Sequence, residues 1–422
     1  MGIIRGITAA ALGAALVGTA APATATTTGA TGATTTAATA ASAAVAPVVT
    51  APTLVVAPNG DDTAAGTLER PLRTVQEAVR RARPGDVIGV RGGRYLLTRN
   101  ITLTTSGEPS RPITLGAYAG ERVVIDGEQL PASHTPVGGS VPRAERGAIH
   151  QEASHWRISD LEIVNSPYGV YCDGCNDNVF ARLNTHDNYE SGFQLQGASS
   201  RNLILDLDSH GNRDPRKNGE SADGLAIKEG SGTGNVVRGA RLWNNVDDGF
   251  DAWKFASPVL IEDTIAYGNG FDRWGFPDFA GDGNGFKLGG GAPAPAVAHA
   301  LRNTAAFRNA AKGYTDNGNP GAIAVSRSTS HRNQSTGFDF DTSAARAVLT
   351  GNLSVADQRA VARTSTTTST GNSWDRGGAW GESAVLSTDP APLTGPRDAD
   401  GSLPGAPSFL VPRDGTAVGA RF

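Results

Sequence analysis

A glycine followed by a bulky apolar residue recurs seven times between residues 160 and 340, at Gly169-Val170, Gly192-Phe193, Gly224-Leu225, Gly249-Phe250, Gly285-Phe286, Gly313-Tyr314 and Gly337-Phe338. The steps are 23, 32, 25, 36, 28 and 24 residues. Asn165, Asn188, Asn245, Asn309 and Asn333 each stand four residues ahead of such a glycine. In the second and fourth steps Asn212 and Asn269 lie further upstream, so the extra residues there are loop insertions. A coil of about two dozen residues with short β runs and an asparagine at a fixed turn implies a solenoid, in which each coil buries its apolar face against its neighbours. The asparagines are read as structural, each bonding backbone groups and the next coil's asparagine. Equivalent positions in stacked coils should lie about 4.8 Å apart, the spacing of paired strands.

That register collects scattered chemistry. The residue before the glycine is Asp223, then Asp248, then Asn284; the residue two after it is Ala226, then Asp251, then Lys287; Asp247 adjoins Asp248. Asp223, Asp247, Asp248, Asp251 and Lys287 are therefore expected to crowd one exposed strand face across three consecutive coils. The insertions Arg213–Gly219 and Phe271–Gly281 should wall that face into a cleft. Asp-Gly pairs are ordinary turn chemistry. Other coils, however, carry Tyr168, Ser191, Lys312 and Thr336 before the same glycine, so the turn does not require an acid. Four carboxylates so close would raise each other's pKa unless a cation neutralised them. A hard divalent ion with oxygen ligands answers this, and calcium, tolerant of loose geometry, fits better than magnesium. No His or Cys joins the cluster, which argues against zinc. Lys287 has two readings: a solvated charge or partner of Asp251, or a base that must lose its proton. Carboxylate neighbours raise its pKa while burial and a nearby cation lower it, and at this level the balance stays open.

Composition and ends set the surroundings. The chain has 422 residues, 39% hydrophobic and 18% charged, with 54 glycines, as suits a turn-rich β-solenoid. A net charge of -4 excludes a basic nucleic-acid footprint. Residues 1–25 read as a secretory signal: Arg5, the apolar Ile7–Ala20, then Ala23-Thr24-Ala25 as cleavage site. Residues 26–52 form a low-complexity Ala/Thr/Gly linker. No segment approaches the roughly 20 apolar residues of a membrane span. The mature protein is expected to be extracellular, a monomer, and free of membrane and nucleic acid. Cys172 and Cys175 are read as a local disulfide or two unreacted thiols, without function.

Residues 53–422 are expected to form one domain, with regular coils over about 155–341 and a weaker coil at Ala344–Ser354. Early strands should run at Thr53–Ala57, Val87–Val90, Tyr95–Leu97, Ile101–Leu103, Ile113–Tyr118 and Val123–Ile125, with Gln129–Gly147 as loop. Thr74 is placed to cap a helix over Val75–Arg83, whose apolar face would cover the open N-terminal end of the stack. The tail from Thr366 should pack irregularly on the last coils.

The segments Ser221–Lys228, Trp243–Trp253 and Gly281–Gly289, with their Asp-Gly-Leu, Asp-Asp-Gly-Phe-Asp and Asn-Gly-Phe-Lys cores, resemble the family 9 polysaccharide lyases. Gly66–Gly127 resembles that family's capping region. The resemblance implies an all-β, right-handed parallel β-helix and a calcium-dependent pectate lyase acting on polygalacturonate or a related uronate polymer. Asp223, Asp247, Asp248 and Asp251 would then hold Ca2+ and Lys287 would be the base. Basic residues for further uronate units could come from Arg213, Arg216, Lys217, Lys228, Lys254, Arg273, Arg302 or Lys312. Two other classes stay open: a glycoside hydrolase of uronate polymers using Asp247 and Asp248 as a carboxylate pair, and a non-catalytic carbohydrate-binding solenoid.

Overall fold

Each coil consists of three short strands, and two of its three corners are marked by a single residue in the left-handed region. The first corner is made by Asp160, Arg182, Asp206, Gly239, Asp263, Asn303 and Arg327 in successive coils, with φ between 48° and 70°. The second is made by Asn165, Asp187, Gly211, Asn244, Gly268, Arg308 and Arg332, with φ between 50° and 65°. One such residue reverses the local twist and redirects the chain, a conformation that Gly, Asn and Asp adopt most readily; after Gly211 and Gly268 the two insertions follow before the next strand. In the computed structural model, which describes residues 48–377 and 380–422, these coils stack into three parallel sheets of 12, 10 and 10 strands. The expected signal over 1–25 and nearly all of the linker over 26–52 lie outside the described residues. Among the described residues no helix is long and apolar enough to cross a membrane.

The glycine register is that of the third sheet. Val170 pairs with Phe193, Phe193 with Leu225, Leu225 with Phe250, Phe250 with Phe286, Phe286 with Tyr314 and Tyr314 with Phe338. These side chains are fully buried, and Phe286, Tyr314 and Phe338 stack at 5.1 and 4.7 Å between ring centroids. The glycines are required by close approach: a Cβ at Gly249 would lie 2.6 Å from Gly285 O, and one at Gly285 would lie 2.6 Å from Gly313 O.

The asparagine ladder runs Asn188→Asn212→Asn245→Asn269→Asn309→Asn333, each Nδ2 donating to the next Oδ1 at 2.8–3.0 Å. Asn165 is not its first rung. It occupies the left-handed corner, and Ser166 takes the ladder position, donating its N–H to Asn188 Oδ1 at 3.1 Å. A second ladder, Asn178→Asn202→Asn235, lines another corner. Cys172 and Cys175 are both buried and joined in a disulfide.

Helix α1, Val75–Arg81, is capped by Thr74, whose Oγ1 accepts from Glu77 N at 3.2 Å, and buries Val75, Ala78 and Val79. It packs on the strands Leu54–Val56 and Ile101–Leu103 at the N-terminal end. Strand pairing continues beyond the coil expected at 344–354, through Arg359–Arg363 and Thr368–Thr370. The tail does not stay on the last coils. It returns along the outside of the second sheet, where Ala420 N donates to Thr329 Oγ1 at 2.8 Å, Arg421 N donates to Asn303 Oδ1 at 2.7 Å, and Arg397 pairs with Asp208 at 2.7 Å. Unpaired apolar surface there gives the returning chain its purchase: Phe409 packs edge-on against Phe307 at 5.3 Å.

Candidate active site

Because the strand Leu225–Ser231 pairs with Phe250–Asp251, and that strand with Phe286–Lys287, Ala226, Asp251 and Lys287 form one row. Asp223 and Asp248 enter from the turns just ahead. Oxygen atoms of Asp223, Asp248 and Asp251 lie within 4.8 Å of one another; Asp247, Asp248 and Asp282 form a second such group. All five residues singled out in the sequence thus meet, although Asp247 joins the cluster through Asp248 and not directly. Asp282 was not among them.

The face is not exposed, contrary to expectation. Asp223, Asp247, Asp248 and Asp251 are 0–2% exposed and Lys287 8%. The cause is a collar of three loops around a cavity of about 630 Å³. The two insertions are joined by Ala280 N donating to Asn218 O at 3.0 Å, and Asp214 braces the first by accepting from Ser221 N at 3.1 Å. The third wall comes from the 127–147 segment, which includes the stretch Gln129–Gly147 expected as loop. Gly138 N donates to Arg216 O at 2.9 Å and Arg216 Nη1 to Gly139 O at 3.0 Å, bringing Ser140, Val141 and Arg146 to the cavity.

Two ammonium groups stand among the carboxylates. Lys287 Nζ lies 2.7 Å from Asp282 Oδ2, 3.1 Å from Asp248 Oδ2 and 4.0 Å from Asp251 Oδ1. Lys228 Nζ lies 2.7 Å from Asp223 Oδ2 and 3.2 Å from Asp251 Oδ2. The sequence reading treated Lys228 only as a candidate substrate contact. Its place was legible in period two, since residues 226 and 228 share a strand face. Asp248 Oδ1 accepts from Asn284 N at 2.7 Å and Nδ2 at 2.9 Å, Asp247 Oδ1 from Asp282 N at 2.6 Å, and Asp251 Oδ1 from Trp253 N at 2.9 Å.

Five carboxylates facing two ammonium groups leave an excess of negative charge when all are ionised. Burial, offset in part by Lys228, pushes Asp223 up to about 6. Burial, opposed by Lys287 and helped by Asp223 and Asp251, pushes Asp248 up to about 7. Burial and then Asp248 hold Asp247 well above the carboxylate range. For Lys287 burial works against the charge, but Asp248, Asp251, Asp247 and Asp282 outweigh it and raise its pKa. The residues fit a hard divalent cation on one further observation: the buried Asp223 Oδ1 accepts no hydrogen bond, its Oδ2 being the oxygen that meets Lys228. An orphaned carboxylate oxygen in an all-oxygen cluster suits calcium.

The other basic candidates separate by position. Arg216 and Lys217 line the cavity. Arg213 stacks on Tyr189 at 4.3 Å and Lys254 on Trp253 at 3.9 Å. Arg273 donates to Gly268 O and Asn244 Oδ1, while Arg302 and Lys312 pair with Glu262 and Asp339. Tyr168, Gln194 and Trp253 complete the lining without having been anticipated.

Residues 54–352 match the family described as Pel9A-like, right-handed beta helix region. The chain is similar to pectate lyase PEL9 of Emericella nidulans, 49% identical over 394 residues that cover 88% of this chain and 94% of the relative. The crystal structure of pectate lyase Pel9A aligns with a TM-score of 0.75 at 31% identity, covering 86% of this chain and 89% of that one. A solved rhamnogalacturonan lyase aligns with a TM-score of 0.74 at 26% identity, covering 86% and 96%.

Proposed function

Since the chain belongs to the Pel9A-like right-handed β-helix family and is a polysaccharide lyase of the pectate-lyase kind, we propose that it cleaves de-esterified polygalacturonate by calcium-assisted β-elimination with Lys287 as base. The observation that carries this is one amine, Lys287 Nζ, standing 3.1 Å from Asp248 in a buried carboxylate cluster where Asp223 Oδ1 has no partner, inside a walled cavity. Elimination requires removal of the C5 proton, α to a carboxylate whose own charge makes that proton a poor acid. Asp223, Asp248 and Asp251, with Asp247 beside them, would hold the calcium. When bound, that ion neutralises the substrate carboxylate and the enolate-like charge that develops.

Lys287 takes the proton from C5 as the 4,5-double bond forms and O4 leaves C4 with the bonding pair, gaining a proton from solvent; a positioned base contributes typically 10²–10⁴-fold. It must first be a free amine. Once the carboxylates that hold its proton are neutralised, burial is the remaining influence and favours the uncharged form. Lys228 keeps Asp223 and Asp251 in place, and Asn284 orients Asp248. Export to the cell exterior and action as a monomer belong to the same reading, supported by the signal-like residues 1–25 and a polymeric substrate.

The test is incubation with polygalacturonate, with and without calcium, following ultraviolet absorbance of the unsaturated product. Absorbance should rise with calcium and stop in excess chelator. Full activity in chelator removes the metal; new reducing ends without absorbance mean hydrolysis. Rhamnogalacturonan belongs in the same panel, because a lyase of that name shares the fold and a quarter of the sequence.

A further inference from the structure

The cavity is lined by five cations, Arg146, Arg216, Lys217, Lys228 and Lys287. Four of them already have carboxylate partners: Arg216 pairs with Glu190, Lys217 with Glu220, Lys228 with Asp223 and Lys287 with Asp282. Arg146 has none within ion-pair distance among the described residues; Glu229 acts on it only from afar. Its guanidinium is nonetheless fixed. Nη1 donates to Tyr171 Oη at 3.2 Å, and the group lies over the rings of Tyr171 and Tyr168 at 5.4 and 5.9 Å. The backbone beneath is held as well, with Ala148 N donating to Tyr168 O at 2.8 Å. A half-buried, immobilised guanidinium with no carboxylate of its own is a ready fork for one from outside.

Its position along the helix gives it a meaning. Tyr171 lies four coils before Lys287, through the pairs Tyr171–Gln194, Gln194–Ala226, Ala226–Asp251 and Asp251–Lys287. At the strand spacing this is about 19 Å. A uronate polymer lying along the sheet, with its reacting residue at Lys287, would bring another carboxylate to Arg146 only several sugar units away.

We propose that Arg146, carried by the 127–147 strap, forms a distal carboxylate-binding subsite that selects long uronate chains over short ones. This rests on the polyuronate reading of the site and adds to it a second anchor remote from the reacting atoms. Gln194, next along the row, and Tyr168 complete the subsite wall.

The test compares Arg146→Gln and Arg146→Lys with wild type on trigalacturonate and on polygalacturonate, with thermal unfolding of each variant as a fold control. On the polymer, Arg146→Gln should raise KM about tenfold, the loss of one charge-assisted contact, with kcat little changed. Trigalacturonate, too short to span, should show no change in either constant. Arg146→Lys should restore part of the polymer affinity. Equal KM increases on both substrates, or none on the polymer, overturn the subsite. Titration calorimetry of long oligogalacturonates against wild type and Arg146→Gln separates this from the reaction itself: Arg146-dependent binding without unsaturated product would sink the lyase reading and leave the subsite standing. Absence of that dependence in an otherwise active enzyme would do the reverse.

Discussion

Lys287 is held by three carboxylates and is nearly buried, and this changes what a substitution there should do. The sequence suggested a position on an exposed strand face. The structure makes it 8% exposed and the partner of buried Asp248. Truncation to alanine would leave that carboxylate buried and unpaired, at a cost of about 3–5 kcal/mol. Lys287→Arg is the cleaner probe, since arginine keeps the positive charge but cannot serve as a neutral base. We expect Lys287→Arg to retain most of the wild-type melting temperature while losing at least a hundredfold in kcat. A variant that turns over within tenfold of wild type would show that the base lies elsewhere. The acid cluster and its lysine were legible because they keep phase with the glycines. The sequence did not place Lys228 or Asp282 in the cluster, because each lies outside the two positions compared from coil to coil.

At the level of elements, corners and ladders carry the stack. Asn269 accepts from Asn245 N and Nδ2, both at 3.0 Å, and donates to Leu242 O at 3.1 Å and Asn309 Oδ1 at 2.9 Å, with no exposure. Asn269→Ala would orphan buried donors on Asn245, at about 1–3 kcal/mol each. The midpoint of urea unfolding should fall accordingly. Asn165→Gly should change that midpoint little, since Asn165 fills a left-handed corner that glycine also accepts, with one side-chain bond to Asp126 at 3.2 Å. Equal effects at the two sites would mean that the ladder has no special role. The count of four residues before the glycine identified most rungs but misplaced this one, because the first coil's turn is one residue shorter. Which residue makes each corner was not visible at all: aspartate, asparagine, arginine and glycine alternate there without pattern.

Across the whole molecule, the buried acids couple stability to pH. Asp223 and Asp248 have folded-state pKa values of about 6 and about 7, above their ordinary value of 3.8. Groups shifted upward contribute their stability below the ordinary value, and that contribution is lost as pH rises through the folded pKa. The cation-free protein should therefore lose stability between pH 4 and pH 8, and calcium should restore more at pH 8 than at pH 5. Melting curves with and without calcium at the two pH values check this; a calcium-induced shift that shrinks as pH rises contradicts the cage. By itself the sequence determined the coil, its register, the capping helix and the meeting of four aspartates with one lysine. Each of these depends on contacts between positions of equal phase in adjacent coils, so the period alone reports them. Only the tertiary structure decided how deep that meeting lies, that Lys228 shares it, that the 127–147 strap brings Arg146 to the cavity, and that the tail returns over the second sheet. Those features arise where segments of unequal length and no repeat find partners far away in the chain, and no local pattern records where such segments come to rest.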